Sequence, residues 1–197
     1  MKIDIARQPL VPAFMTLFAL AVAAMCAGIP VSDTSGAVRD ALPLLGGQLA
    51  RFQAAYPVWS KFAAGFMLLF TGMCAGRITI RYNLYTVGTC LPIPLYAIVA
   101  CGIATGGNYL AGFAASMLLA LATKNYCRAF CNGYGFDAIF RASLYLGLMP
   151  LVYAPALPLL LLLPLAVLLF RRTFREVVVA TAGLLLPIFT ACYVSWG

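Results

Sequence analysis

Apolar residues run along this chain in long, nearly charge-free blocks, and the blocks set its organisation. A helix that crosses a bilayer needs about 20 mostly apolar residues, because the hydrocarbon core is about 30 Å thick and a helix rises about 1.5 Å per residue. Blocks of this kind occupy 12–29, 58–76, 84–104, 109–123, 136–153, 157–170 and 177–196. They predict an all-α, polytopic transmembrane helix bundle of about seven spans, forming one integral membrane domain over 1–197. Only Thr105-Gly106-Gly107-Asn108 separates the third block from the fourth, as a tight helical hairpin would require.

The stretch 138–170 contains Arg141 as its only charge and invites a reading as one continuous helix. Such a helix would be about 50 Å long, more than a bilayer accommodates by tilting. Pro150, Pro155, Pro158 and Pro164 interrupt it, since proline lacks the amide donor and clashes with the preceding turn. A hairpin turning at Ala154-Pro155-Ala156-Leu157-Pro158 is therefore expected.

One segment outside the blocks carries a helical pattern of its own. Val38, Leu42, Leu45, Leu49, Phe52 and Tyr56 recur at alternating intervals of four and three, with Arg39, Asp40, Gln48, Arg51 and Gln53 between them. This spacing predicts an amphipathic segment over 37–56 on the outer, periplasmic side of the bundle. Pro43 and Gly46-Gly47 favour a broken helix lying on the membrane surface, packed as a lid against the bundle.

Composition agrees with the blocks: 64% of the 197 residues are hydrophobic and 9% are charged, against roughly 45–50% and about 25% in soluble domains. A chain of this size cannot bury so large an apolar surplus in a water-soluble globule. The net charge of +8 becomes informative once the bases are placed on the spans. With a cytoplasmic N-terminus, Lys2, Arg7, Arg77, Arg81, Lys124, Arg128, Arg141, Arg171, Arg172 and Arg175 fall inside, and Arg39, Arg51 and Lys61 outside. This is the asymmetry of the positive-inside rule, and merging the fifth and sixth spans would destroy it. The basic inner loops also face anionic lipid headgroups, each charge being worth about 1 kcal/mol near the surface. Bases dispersed over three loops do not form the stripe that nucleic acid requires. The first block is longer than a signal-peptide core, which favours a retained span.

The candidate chemistry is sparse. The chain contains no histidine, which removes His-based dyads, zinc sites and proton relays. Five of the seven cysteines (Cys26, Cys74, Cys90, Cys101 and Cys192) lie in or beside apolar blocks, where cysteine behaves as a small hydrophobe. Cys127 and Cys131 alone make a poor zinc site, so no metal or cofactor is expected. A polar site on the inner side would draw on Asn83, Asp137, Arg141, Arg175 and Glu176. Asp137 stands four residues before Arg141, the spacing of an ion pair on one helix face, and also suits a helix N-cap. Pro92 and Pro94 are expected to kink the third span and free backbone carbonyls. Gly72 with Gly76, Gly102 with Gly106, and Ala111 with Ala115 fit the small-xxx-small pattern that lets helix backbones approach closely.

Over Arg81-Tyr82-Asn83-Leu84, Leu91-Pro92-Ile93-Pro94-Leu95-Tyr96, Arg171-Arg172-Thr173-Phe174-Arg175-Glu176 and Gly183-Leu184-Leu185-Leu186-Pro187, the chain resembles a family of polytopic inner-membrane proteins from Bacteroidota without an assigned activity. The resemblance covers about two-thirds of the chain and implies a bacterial inner-membrane setting. Its members are longer, which implies a short member or a C-terminal truncation here. With packing motifs abundant and catalytic constellations absent, the leading expectation is a non-enzymatic accessory or scaffold subunit in envelope assembly, with a membrane-protein partner. A transporter or lipid-handling protein comes second, on the strength of the Pro-rich third span. A membrane enzyme acting on a lipid-linked substrate, with Asp137 or Glu176 as its acid–base group, comes third.

Overall fold

The computed structural model describes residues 10–26, 44–82, 90, 92–104, 108–131, 135–163, 165 and 173–196. Among the described residues every element is helical: α1 (Leu10–Cys26), α2 (Leu44–Ala55), α3 (Pro57–Arg81), α4 (Pro92–Ala104), α5 (Tyr109–Cys131), α6 (Phe136–Val152), a 3-10 segment (Ala154–Leu161) and α7 (Phe174–Trp196). Two of them, α3 with 25 residues and α7 with 23, are long and apolar enough to cross a membrane. Within the described residues the other predicted spans appear as shorter or less apolar helices, so the count of seven is not established by helix length.

Several boundaries differ from the hydrophobic blocks for a common reason. Charge ends a lipid-compatible stretch, but a hydrogen-bonded ladder continues until something breaks or caps it. Helix α3 accordingly runs through Arg77 to Arg81, and α5 runs through Lys124 and Arg128 to Cys131. The expected break at Gly46-Gly47 is absent, because α2 passes through both glycines. The break falls instead at Tyr56, where proline follows and starts α3 at its first position, a place where the missing amide costs nothing. Residues 37–43 of the amphipathic segment lie outside the described residues.

The block expected as a span over 157–170 does not start as an α-helix: residues 157–161 belong to a 3-10 segment, Leu162 and Leu163 are α-helical, and 164 and 166–170 lie outside the described residues. Tyr153 is extended, and the next eight residues form a 3-10 helix containing Pro155 and Pro158. Prolines at this density leave too few amides for an α-helical ladder, and the tighter turn fits short runs of this kind. This segment packs against α6.

The chain gathers into two compact units, 1–34 with 50–117 and 35–49 with 118–197. In the first, α1, α3 and α4 pack on one another through glycines of α3. A Cβ at Gly72 would lie 2.6 Å from Leu17 Cδ2 and one at Gly76 2.6 Å from Ile93 Cδ1, and Leu17 and Ile93 are both fully buried. Leu17 and Ile93 occupy space that any larger residue on α3 would take. In the second unit α6 and α7 form the most extensive helix pair. Two clusters surround it, one built on Ala129, Ala138, Ile139, Leu163 and Ala180, the other on Ala122, Leu146, Met149 and Ala156. Tyr126 packs against both clusters.

Candidate functional site

Of the residues expected to form an inner polar site, the structure pairs two. Arg141 Nε donates to Asp137 Oδ1 at 3.0 Å, and both side chains are more than half exposed. Asp137 is not the N-cap of α6. Gly135 holds that position, leaving Asp137 in the first turn, where its negative charge favours the exposed amides of the helix start. An exposed pair of this spacing is worth about 0.3–0.5 kcal/mol. A double-mutant cycle of Asp137→Ala and Arg141→Ala in thermal unfolding should return a coupling of that size. Strict additivity would remove the pair from consideration.

Glu176 serves a different purpose. Helix α7 starts at Phe174, so Thr173 is its N-cap and Glu176 the third helical residue. The Thr173 amide donates to Glu176 Oε2 at 3.3 Å, while the Glu176 and Val177 amides donate to the Thr173 carbonyl at 3.0 and 3.3 Å. Thr173-Phe174-Arg175-Glu176 thus forms the returning half of a capping box, in which a glutamate three residues into the helix satisfies the N-cap amide. Glu176 is only 3% exposed and Arg175 beside it is exposed. Replacing Glu176 by alanine strips the Thr173 amide of its partner and should cost about 1–2 kcal/mol, whereas glutamine, which also completes this box, should remain near the parent. Equal losses for alanine and glutamine would point to a role for the charge.

Asn83 lies outside the described residues. Pro92 and Pro94 lie in the first turn of α4, which starts at Pro92, with the Ile93 amide bonded to the Cys90 carbonyl at 3.0 Å. The prolines therefore open the described helix, where their missing amides would have had no intrahelical partner. Among the described residues no three side chains of the metal-ligating types come together.

A second polar arrangement lies inside the first unit, away from the predicted residues. Gln53 of α2 is 5% exposed and its Oε1 accepts the Leu110 amide at 3.4 Å, covering a first-turn donor of α5. Next to it in sequence, the Tyr109 hydroxyl meets Ser60 Oγ of α3 at 2.6 Å, both residues being buried. Because Ser60 Oγ also donates to the Pro57 carbonyl at 2.9 Å, Tyr109 is the donor in that contact. Further along, the Tyr96 hydroxyl of α4 lies 3.1 Å from Ser116 Oγ of α5. The start of α5 is thus clamped by side chains of α2 and α3. Tyrosines bridge gaps between helices that aliphatic side chains would leave without polar partners.

No family model matches the chain, and no curated protein or solved structure matches it.

Proposed function

We propose that the chain is an integral protein of a bacterial inner membrane, crossing it about seven times from a cytoplasmic N-terminus, and that it acts as a non-enzymatic accessory or scaffold subunit in envelope assembly. The observation that carries the membrane reading is the outward face of the helices. On α3, Trp59, Phe62, Phe66, Phe70 and Met73 are exposed by 37–69%, and on α7 Leu185, Leu186, Phe189, Tyr193 and Val194 by 44–83%. Continuous apolar faces of this extent are a burden in water and the normal surface of a helix in lipid. Arg77, Arg81, Arg128 and Arg175, all exposed near helix ends, suit contact with anionic headgroups.

The scaffold reading is supported by how the scarce acids are used. Asp137 is committed to Arg141 and Glu176 to the start of α7. This weakens the enzyme reading, which relied on one of them as an acid–base group. The buried hydroxyls of the first unit favour a transporter or lipid-handling protein as the second reading. Purification in mild detergent separates the two. A stoichiometric protein partner supports the scaffold; a retained lipid or small solute without a protein partner supports the second reading. Topology is tested independently by labelling cysteines introduced at 171–175, which should be reached only from the cytoplasmic side.

A further inference from the structure

The exposed face of α3 does not end where its apolar residues end. Phe62, Phe66, Phe70 and Met73 follow one another at intervals of three and four, and Arg77 and Arg81 continue the series, all six being exposed. At 3.6 residues per turn the six fall within about 100° of arc, while Leu68, Thr71 and Ile78 occupy the buried side. Both guanidiniums therefore belong to the face that carries the phenylalanines, and neither belongs to the packed interior of the first unit. Neither has an acidic partner among the described residues, where Asp137 pairs with Arg141 and Glu176 closes the start of α7. The partial charge at a helix end favours Arg81, which lies in the last turn, but fades over that turn and leaves Arg77 unexplained. Like charges four residues apart on a helix repel one another, and an anion shared between them turns the repulsion into attraction.

The spacing suits one phosphate. Side chains four residues apart start about 5–6 Å from each other, and two guanidiniums at that separation can each offer a fork of N–H donors to the same phosphodiester. The depth suits a lipid. Phe66 and Arg77 are separated by a rise of about 16 Å, close to half of a hydrocarbon core about 30 Å thick. A phosphate held at Arg77 and Arg81 thus leaves its own acyl chains to run along Met73, Phe70 and Phe66. Among the described bases no other pair is exposed on successive turns of one helix.

We propose that this end of α3 binds one anionic diacyl phospholipid, with its phosphate shared by Arg77 and Arg81 and its chains lying over Met73, Phe70 and Phe66. The site rests on the membrane reading and deepens it, because it requires two particular arginines and the apolar face beside them, where general attraction to headgroups requires only positive charge. A zwitterionic lipid brings an ammonium that is repelled by the same arginines, and a soluble phosphate lacks the chains. An anionic diacyl lipid matches both halves of the site.

Native mass spectrometry of the whole chain in mild detergent, titrated with dioleoyl phosphatidylglycerol or dioleoyl phosphatidylcholine, tests the site. The parent should hold one phosphatidylglycerol at concentrations where phosphatidylcholine adducts are several-fold fewer. Arg77→Gln and Arg81→Gln should each remove most of that adduct, and Arg51→Gln, which deletes the same charge from an exposed position on α2, should leave it in place. Equal losses in all three variants would assign the binding to net charge and overturn the site. Inorganic phosphate at millimolar concentration should not displace the lipid; displacement would make the ligand a soluble anion and overturn the proposal. A phosphatidylglycerol with a photoreactive diazirine in its acyl chain needs no variant to fold, and should label α3 between Phe62 and Gly76; labels confined to other helices overturn the site. A chain recovered folded from detergent-free buffer would end the membrane reading itself, whereas a parent that stays in membranes and binds the two lipids equally overturns the site alone.

Discussion

Leucine at position 147 is expected to disrupt the α6–α7 pair, with a loss of about 3 kcal/mol or more, at the upper end of overpacking effects. A Cβ on Gly147 would overlap the carbonyl oxygen of Leu184, and one on Gly183 would lie 2.8 Å from the Phe140 carbonyl oxygen. These obstacles are backbone atoms, which move only if the whole helix moves. Alanine at an open helical site would instead stabilise, because glycine is the poorer helix former by about 1 kcal/mol. The sign of the change therefore reports the contact. Gly72→Ala provides the comparison, since its new Cβ meets only the methyl end of Leu17, which can rotate, and a loss of about 1 kcal/mol is expected. Thermal unfolding in detergent, read by loss of the monodisperse peak in size exclusion, measures both. Gly147→Leu melting like the parent would mean that α6 and α7 do not approach as described.

That contact marks a boundary of what the sequence reveals. Gly72 and Gly76 stand out as a small-xxx-small pair, and both receive a neighbouring side chain. Ser143 and Gly147 have the same spacing and make the tighter crossing, yet they lie in a run whose prolines draw attention to its far end. Hydrophobic blocks locate α6 to within a residue, because Gly135 and Tyr153 end the helix where the apolar run ends. They misplace the ends of α3 and α5, where charged residues leave the lipid-compatible zone without breaking the helix. The sixth block differs at its start: its composition suits a span, but Pro155 and Pro158 put 154–161 on a 3-10 path that hydropathy does not register.

The polar contacts divide along the same line. Asp137 with Arg141, and Thr173 with Glu176, are local, so a spacing of three or four residues makes them readable. Gln53 with Leu110, Ser60 with Tyr109 and Tyr96 with Ser116 join residues far apart in the chain, and nothing in their own neighbourhoods names the partner. Tyrosine within an apolar block is the available signal: its ring suits the block while its hydroxyl needs a partner when buried. The local pairs finish helix starts and exposed faces, while the distant ones fasten helices together.

Whether lipid or water meets the outer face of α3 is decided most sharply by Phe66→Arg. Phe66 is 68% exposed near the middle of α3, with Phe62 one turn before it and Phe70 one turn after on the same face. In water, arginine for an exposed phenylalanine far from any cap or core contact should change stability by no more than about 0.5 kcal/mol, and should improve solubility. In a bilayer the same change places a charge near the helix centre, where insertion is penalised by about 2.5–3.5 kcal/mol. The two environments thus predict opposite outcomes. On the membrane reading, the fraction of Phe66→Arg chains retained in carbonate-washed membranes drops steeply. Trp59→Arg, three residues into α3, drops little, because a long side chain so close to the end reaches the headgroups. Recovery of folded Phe66→Arg protein in detergent-free buffer would overturn the membrane assignment, and with it the proposed topology. Retention of both variants at parental levels would place this face of α3 against protein or solvent instead of acyl chains.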